Sequence, residues 1–327
     1  MMKLPTVEWS KPGPRMNGQE PMSARIAGPV HVAMMNLLWP RRGLPVQNFY
    51  DYWVGAHTQI SSRLPGIHQY FQHQLDPVAG RSYPRSMQLS RGSEVIPGFY
   101  GDAEITFTTE QDLKRFADSL APLMADEQNV FEKTISYQAV KENVCTLKDE
   151  SFDDSPNGDL GEAEKYLLYL KCDPSIAISD FRRVISEEVA PALAASSDIS
   201  KVRFRLLEFY DNDKVTLLAP NVSNYEDAKD QYQGCVEIMF TNAFARRRFG
   251  ESETSTATAD KLLAVCSEID IMRALKTFTV YNHGSITTAG LRSPQMADQI
   301  KAIGAINQID ESVRNLILRE HTHFSAK

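Results

Sequence analysis

The order of apolar and polar positions along the chain changes period several times. Pro29 to Trp39 (PVHVAMMNLLW) is an apolar run of strand length, closed by the basic turn Pro40 to Gly43. From Val46 the period becomes helical, because Phe49, Tyr52, Trp53, Ala56 and Ile60 recur at spacings that build one buried face. Pro65-Gly66 breaks that helix, and the alternation of Ile67 to Leu75 predicts a second strand. Asp76 to Gly98, rich in Pro, Gly, Ser and Arg, reads as a long loop of the kind that forms lids or binding segments. Gly101 to Thr108 predicts a third strand, and Thr109 with Asp112 resembles a capping box. Leu113, Phe116, Ala117 and Leu120 give the second helix its apolar face, and Phe131 to Val140 supplies a fourth strand. The order is βαβ, then βαβ.

Acidic residues dominate Lys148 to Glu164, interspersed with Ser, Pro, Asn and Gly, which predicts a solvated linker. The same order then restarts: strand Lys165 to Lys171, helix from Ser179, strand Val202 to Tyr210, strand Cys235 to Thr241, a helical region, and strand Thr277 to Tyr281. Gly101 to Thr108 (GDAEITFT) aligns with Gly234 to Thr241 (GCVEIMFT) at an offset of 133, and Phe49 with Phe181 at 132, so an internal repeat is expected. The expected organisation is an extended arm (1–28), a first ferredoxin-like domain (29–147), the acidic linker (148–164), a degenerate second domain (165–284) and a helical tail (285–327). One βαββαβ unit is a four-stranded antiparallel sheet with both helices on one face. The expected fold class is therefore α+β, with two such units packed sheet to sheet as an intramolecular α/β barrel around a cavity between the sheets. Ile300, Ile303, Ile306, Ile309, Val313, Leu316 and Ile317 predict a terminal helix packed on the body.

Composition narrows the function classes. At 327 residues the chain can bury a sizeable interior. A net charge of −7 and a pI near 5.6 argue against a partner that is a nucleic acid. The basic run Ala245 to Phe249 reads as a solvated helix edge. No apolar run is long enough to span a membrane. Cys145, Cys172, Cys235 and Cys266 fit neither zinc nor redox spacing and read as free thiols. With no signal-like segment near Met1, a cytoplasmic location is expected. Nucleotide-binding glycine motifs and a G-x-S-x-G elbow are absent.

The stretch Gly43-Leu-x5-Phe49-x2-Tyr52-Trp53-x3-His57, followed by Leu64-Pro65-Gly66, resembles the EthD family of small α/β-barrel proteins. Gly101-x2-Glu104 with Phe107, and Asp126-Glu127 before Phe131, look like that family's pattern ahead of its last strand. The resemblance runs through about 110 residues of the first half, and the second half follows in outline. It implies the dimeric α/β-barrel fold and a site without a cofactor; relatives include dehydratases and cyclases of aromatic polyketide pathways and muconolactone-type isomerases. Gln59 stands where that family usually has a proline.

His57 is the leading chemical candidate, since it shares a helix face with Phe49 and Trp53, and imidazole suits proton transfer near neutrality. At the repeat offset the second half carries Val189, so the histidine is one-sided. A carboxylate beside it would orient the ring, and Asp102 is the expected partner. Glu104 lies on the same strand face, but Glu237 repeats it in the half without the histidine, which favours a shared structural role. Trp53, Tyr52 and Tyr70, with His31, His68 and Glu104, are expected to line a pocket for a flat aromatic ligand. On a strand, the spacing of His68 and His73 puts them on opposite faces, so no metal site is expected. His283 follows the last strand in a turn, and haem has no other support.

The expected function is a cofactor-independent lyase or isomerase, of dehydratase or cyclase type, acting on a hydrophobic aromatic or polyketide-like molecule with His57 as acid and base. The alternatives are a cofactor-free monooxygenase and a non-catalytic binding barrel. The pseudo-dimeric chain could stand alone or form a homodimer.

Overall fold

The computed structural model describes residues 30–318 apart from 77, 79–97, 152–154 and 215–217. The arm 1–28 and most of the Asp76 to Gly98 loop thus lie outside the described residues. The first apolar run forms β1 (Val32–Pro40). The helical period beyond it is one continuous helix in three pieces: α1 (Val46–Tyr52), a π-helical turn (Trp53–His57) and α2 (Thr58–Ser61). Next come β2 (Gln69–Asp76), β3 (Gly101–Phe107), α3 (Glu110–Asp118), α4 (Ala121–Glu127) and β4 (Phe131–Val140). The cap read from sequence is made: the Asp112 amide donates to Thr109 Oγ1 at 3.0 Å.

Strand β5 (Val144–Asp149) leads into the acidic stretch, which also contains the short β6 (Asn157–Gly158). The second half is β7 (Glu164–Cys172), α5 (Ile178–Arg183), a π-helical turn (Val184–Val189), α6 (Ala190–Ala194), β8 (Ile199–Leu206), β9 (Gly234–Phe240), α7 (Ala243–Gly250), α8 (Glu253–Val265) and β10 (Cys266–Asn282). Both halves therefore carry a π-helical turn in the helix after their first long strand. β11 (Ser285–Ile286), α9 (Thr288–Arg292), α10 (Pro294–Ile303) and α11 (Glu311–Leu318) follow.

The eleven strands of the described residues join one sheet, in the order β4-β1-β3-β2-β10-β7-β9-β8-β5, with β6 and β11 attached to β10. The fold is a mixture of helices with an antiparallel sheet, and β4-β1-β3-β2 in the first half is matched by β10-β7-β9-β8 in the second. β10 spans 17 residues, far beyond the Thr277 to Tyr281 expected from sequence. Its first part pairs with β7 and its second with β2, so it must satisfy two neighbours in turn. The two ends of the strand path, β4 and β5, are separated in the chain only by Lys141–Asn143.

Three apolar clusters follow from strand alternation. Val32, Leu38, Ala103 and Ile105 face α1 to α4 with Phe49, Trp53 and Phe131. Leu168, Val202 and Ile238 face the second half's helices. Between them, Ala33, Met35, Leu37 and Tyr137 of the first half meet Leu167, Tyr169, Cys235 and Met272 of the second in a cluster on the sheet face turned away from the helices.

The tail differs from expectation. Gly304 ends α10 in the left-handed conformation, which breaks the single predicted helix. Ile303, Ile306, Ile309 and Leu316 are exposed, while Ile300 is buried.

Candidate functional site

His57 ends the π-helical turn and is 4% exposed. The extra residue of such a turn re-aims the side chains after it, and π turns recur at functional sites. Phe49 stacks on Trp53 at 5.7 Å between ring centroids, and Phe131 meets the His57 ring edge to face at 5.2 Å. Together they fix the imidazole in an apolar wall. Gly101 makes this packing possible, since a Cβ there would lie 2.9 Å from Trp53 Cζ3.

The carboxylate on His57 is Asp126, at the end of α4. Its Oδ2 lies 2.9 Å from His57 Nδ1, and its Oδ1 accepts from the Tyr52 hydroxyl at 2.7 Å and from Asn129 Nδ2 at 2.9 Å. The hydrogen bond from His57 is the first cause holding Asp126 down to about 2. An ionised Asp126 can only accept, so Nδ1 carries the proton and Nε2 is the nitrogen left for a ligand.

This constellation lines a cavity of about 450 Å³ between the first half's sheet and its helices. Its apolar walls come from Met34, Leu38, Trp53, Ile105, Phe116 and Phe131, among others. Polar side chains share the lining, among them His57, Ser61, Tyr70, Glu127 and Thr134. Burial pushes the Tyr70 phenol up to about 12, and its oxygen accepts from Gln72 Nε2 at 3.1 Å. The 208–211 segment, Lys214 and Asn224 of the second half also line it.

Several expectations are corrected by this geometry. Asp102 is not the orienting carboxylate: strand alternation sends Ala103 and Ile105 to the His57 side and Asp102 and Glu104 to the sheet-to-sheet side. Asp102 there accepts from the Tyr169 hydroxyl at 2.9 Å, and burial pushes its carboxyl up to about 7. Glu104 is not a wall of the His57 pocket, being ion-paired with Arg203 and Arg205. The histidine's cavity is on the helical side of the sheet, not between the sheets. Tyr52 holds Asp126 rather than lining the cavity, whereas Trp53 and Tyr70 are in its wall. His31 is exposed just before β1, away from the cavity.

His68 belongs to a second cavity, of about 700 Å³, lined by His68, His73, Glu104, Lys165, Glu237 and His283 among others. His68 precedes the start of β2, so alternation does not govern it, and it shares this cavity with His73 despite their spacing. Donor atoms of His73, Glu104 and Glu237 lie within 4.8 Å of one another. Yet Arg205 bridges both carboxylates, Arg203 adds to Glu104, and Lys165 lies 3.0 Å from Glu237. These fixed cations already balance the carboxylates, so the set fits an ion-pair network between the sheets better than a dication.

Asp126 and Glu127 entered the sequence reading only as part of a family pattern. The signal for more was present: two adjacent carboxylates at the end of an apolar helix, which one turn must send in different directions.

The EthD domain pattern matches residues 41–134. No curated protein matches the chain. Among solved structures it is similar to a provisionally named monooxygenase from Lactobacillus acidophilus NCFM, at 10% identity and TM-score 0.45, over 79% of this chain and 98% of that one. A second provisionally named monooxygenase, from Fusobacterium nucleatum, is 6% identical with TM-score 0.46, over 79% and 97%. An anthrone oxidase-like protein is 10% identical with TM-score 0.42, over 76% and 93%. Likenesses at this level carry nothing about the reaction. Residues 41–134 are an EthD domain, and that domain supplies His57, Asp126 and Glu127.

Proposed function

We propose that the chain is a cofactor-independent enzyme in which His57 removes a proton from a carbon beside the carbonyl of a hydrophobic, aromatic small molecule. The observation that supports this is the 2.9 Å hydrogen bond from His57 Nδ1 to Asp126, which leaves Nε2 as the available nitrogen of a residue that lines the cavity. Asp126 orients the imidazole and stabilises the imidazolium formed on proton uptake. The resulting enolate then leads to dehydration, cyclisation or double-bond migration. On this reading the chain is an internal duplication whose second half, with Val189 buried at the matching position, keeps the scaffold without the base.

A second reading has the same first step. The apolar walls that shelter an enolate also admit dioxygen, so a cofactor-free oxygenation of the same carbon is open to this site. That reading agrees with the names of the similar structures but rests on the pocket. Exchange of the α-protons of benzylacetone in deuterated water tests the first step, and oxygen uptake with an easily enolised aromatic ketone separates the two outcomes. If His57→Ala exchanges as fast as the wild-type protein, the proposal fails.

A further inference from the structure

The His57 cavity contains a second titratable group, on the residue next to the one that holds the base. Asp126 and Glu127 leave the end of α4 in different directions: Asp126 reaches His57, and Glu127 lines the cavity, 7% exposed. The Glu127 carboxyl is fixed in place, since Thr134 Oγ1 donates to its Oε2 at 3.3 Å and is itself held by Asn224 Nδ2 at 2.7 Å. No lysine or arginine pairs with Glu127 among the described residues, in contrast to Glu104, Glu164, Glu226 and Glu237.

We propose that Glu127 is the general acid of this site, and that the substrates are β-hydroxy ketones with a hydrophobic aromatic body. The inference rests on the proton-transfer reading of His57. His57 Nε2 takes the proton from the carbon beside the carbonyl, and the electron pair of that C–H bond forms the new C=C bond. The C–O bond to the β-hydroxyl breaks, its pair goes to oxygen, and Glu127 supplies the proton that lets it leave as water. His57 then returns its proton to solvent and Glu127 takes one up, so the sum is loss of one water with no oxidant.

The environment keeps Glu127 in the form this role needs. Burial, then the neighbouring Asp126 charge, raise its carboxyl to about 7, while the Thr134 hydrogen bond opposes them. The other titratable groups along the cavity are His57, Tyr70 from β2, and Glu208, Tyr210, Asp211 and Lys214 from the second half.

Two probes test the proposal on the full chain. Benzylacetone reports α-proton exchange alone, and the aldol adduct of benzaldehyde and acetone reports loss of water to benzylideneacetone. Glu127→Gln keeps the shape and neutrality of the protonated acid, and circular dichroism confirms its fold. The expected result is elimination slowed about 10²-fold, a larger loss than that of benzylacetone exchange, with its decline above pH 7 abolished. Glu127→Gln eliminating water at the wild-type rate overturns the role of Glu127. A wild-type protein that exchanges no faster than His57→Ala overturns the underlying reading instead.

Discussion

Asp126 Oδ2 stands 2.9 Å from His57 Nδ1, across 69 residues of chain and between two different helices. Removing the carboxylate charge while keeping its shape, as in Asp126→Asn, frees the ring to take the other tautomer. A hydrogen bond to a charged group contributes about 1.5–3 kcal/mol, which converts to roughly 10- to 100-fold in the rate of benzylacetone exchange. Tyr52→Phe removes one donor to Asp126 and should cost less than Asp126→Asn. An Asp126→Asn protein with wild-type exchange would remove the carboxylate from the mechanism.

His57→Ala should lower the exchange rate by about 10²- to 10⁴-fold, the usual contribution of a positioned acid or base. Because the residue is held by packing as well as by Asp126, ligand affinity should change much less than rate. Titrating benzylacetone against tryptophan fluorescence, with Trp53 in the cavity wall, compares the two directly.

Stability should fall as pH rises from weakly acidic to neutral. Burial raises the Glu127 carboxyl from its ordinary 4.5 to about 7 in the folded chain, so the folded state holds its proton more tightly than the unfolded state. Its contribution is complete below about 4.5 and lost as pH climbs through 7. The full separation is on the order of 3 kcal/mol. Asp102, also raised to about 7 by burial, adds to the same slope. Urea midpoints measured across this range should flatten in Glu127→Gln, and an unchanged slope would refute the assignment.

Arg205 is fully buried and bridges Glu104 of the first half and Glu237 of the second. Arg205→Met leaves Glu104 to Arg203 and Glu237 to Lys165, removes the cation the two carboxylates share, and should destabilise by about 3 kcal/mol. The loss should appear in denaturant midpoints while proton exchange by the remaining folded protein stays normal, because the network is on the other face of the sheet from His57.

Gly101→Ala places a methyl group against the Trp53 ring. Overpacking of this kind costs about 1–3 kcal/mol. Here it should also displace the wall of the cavity, so both the melting temperature and the exchange rate should drop. A rate unaffected by the substitution would show that Trp53 is not needed to shape the site.

Much of the framework was legible because periodicity reports burial directly. The helix from Val46, the strands at Gly101 and Phe131 and the Thr109 cap all depend on local spacing. The glycine shared by GDAEITFT and GCVEIMFT has a structural cause: a Cβ at Gly234 would meet Phe181 at 3.3 Å, as one at Gly101 would meet Trp53. What alternation cannot report is which face of a strand meets which helix. Asp102 was assigned to His57 for want of that information, while Asp126, far away in sequence, reaches it through the packing of α4 on the helix. The tail misled for another reason, since spacing alone cannot show that Gly304 interrupts a helix or that its isoleucines are left exposed.

The length of β10 has a consequence for how the protein behaves on dilution. A sheet completed by strands from separate molecules loses its neighbours as concentration falls, whereas β10 and β5 bring theirs on the same chain. The pairing of β2 with β10 should therefore not depend on protein concentration. The edge of β2, which a lone first half would leave bare for mispairing, is covered at every concentration for as long as the chain stays intact.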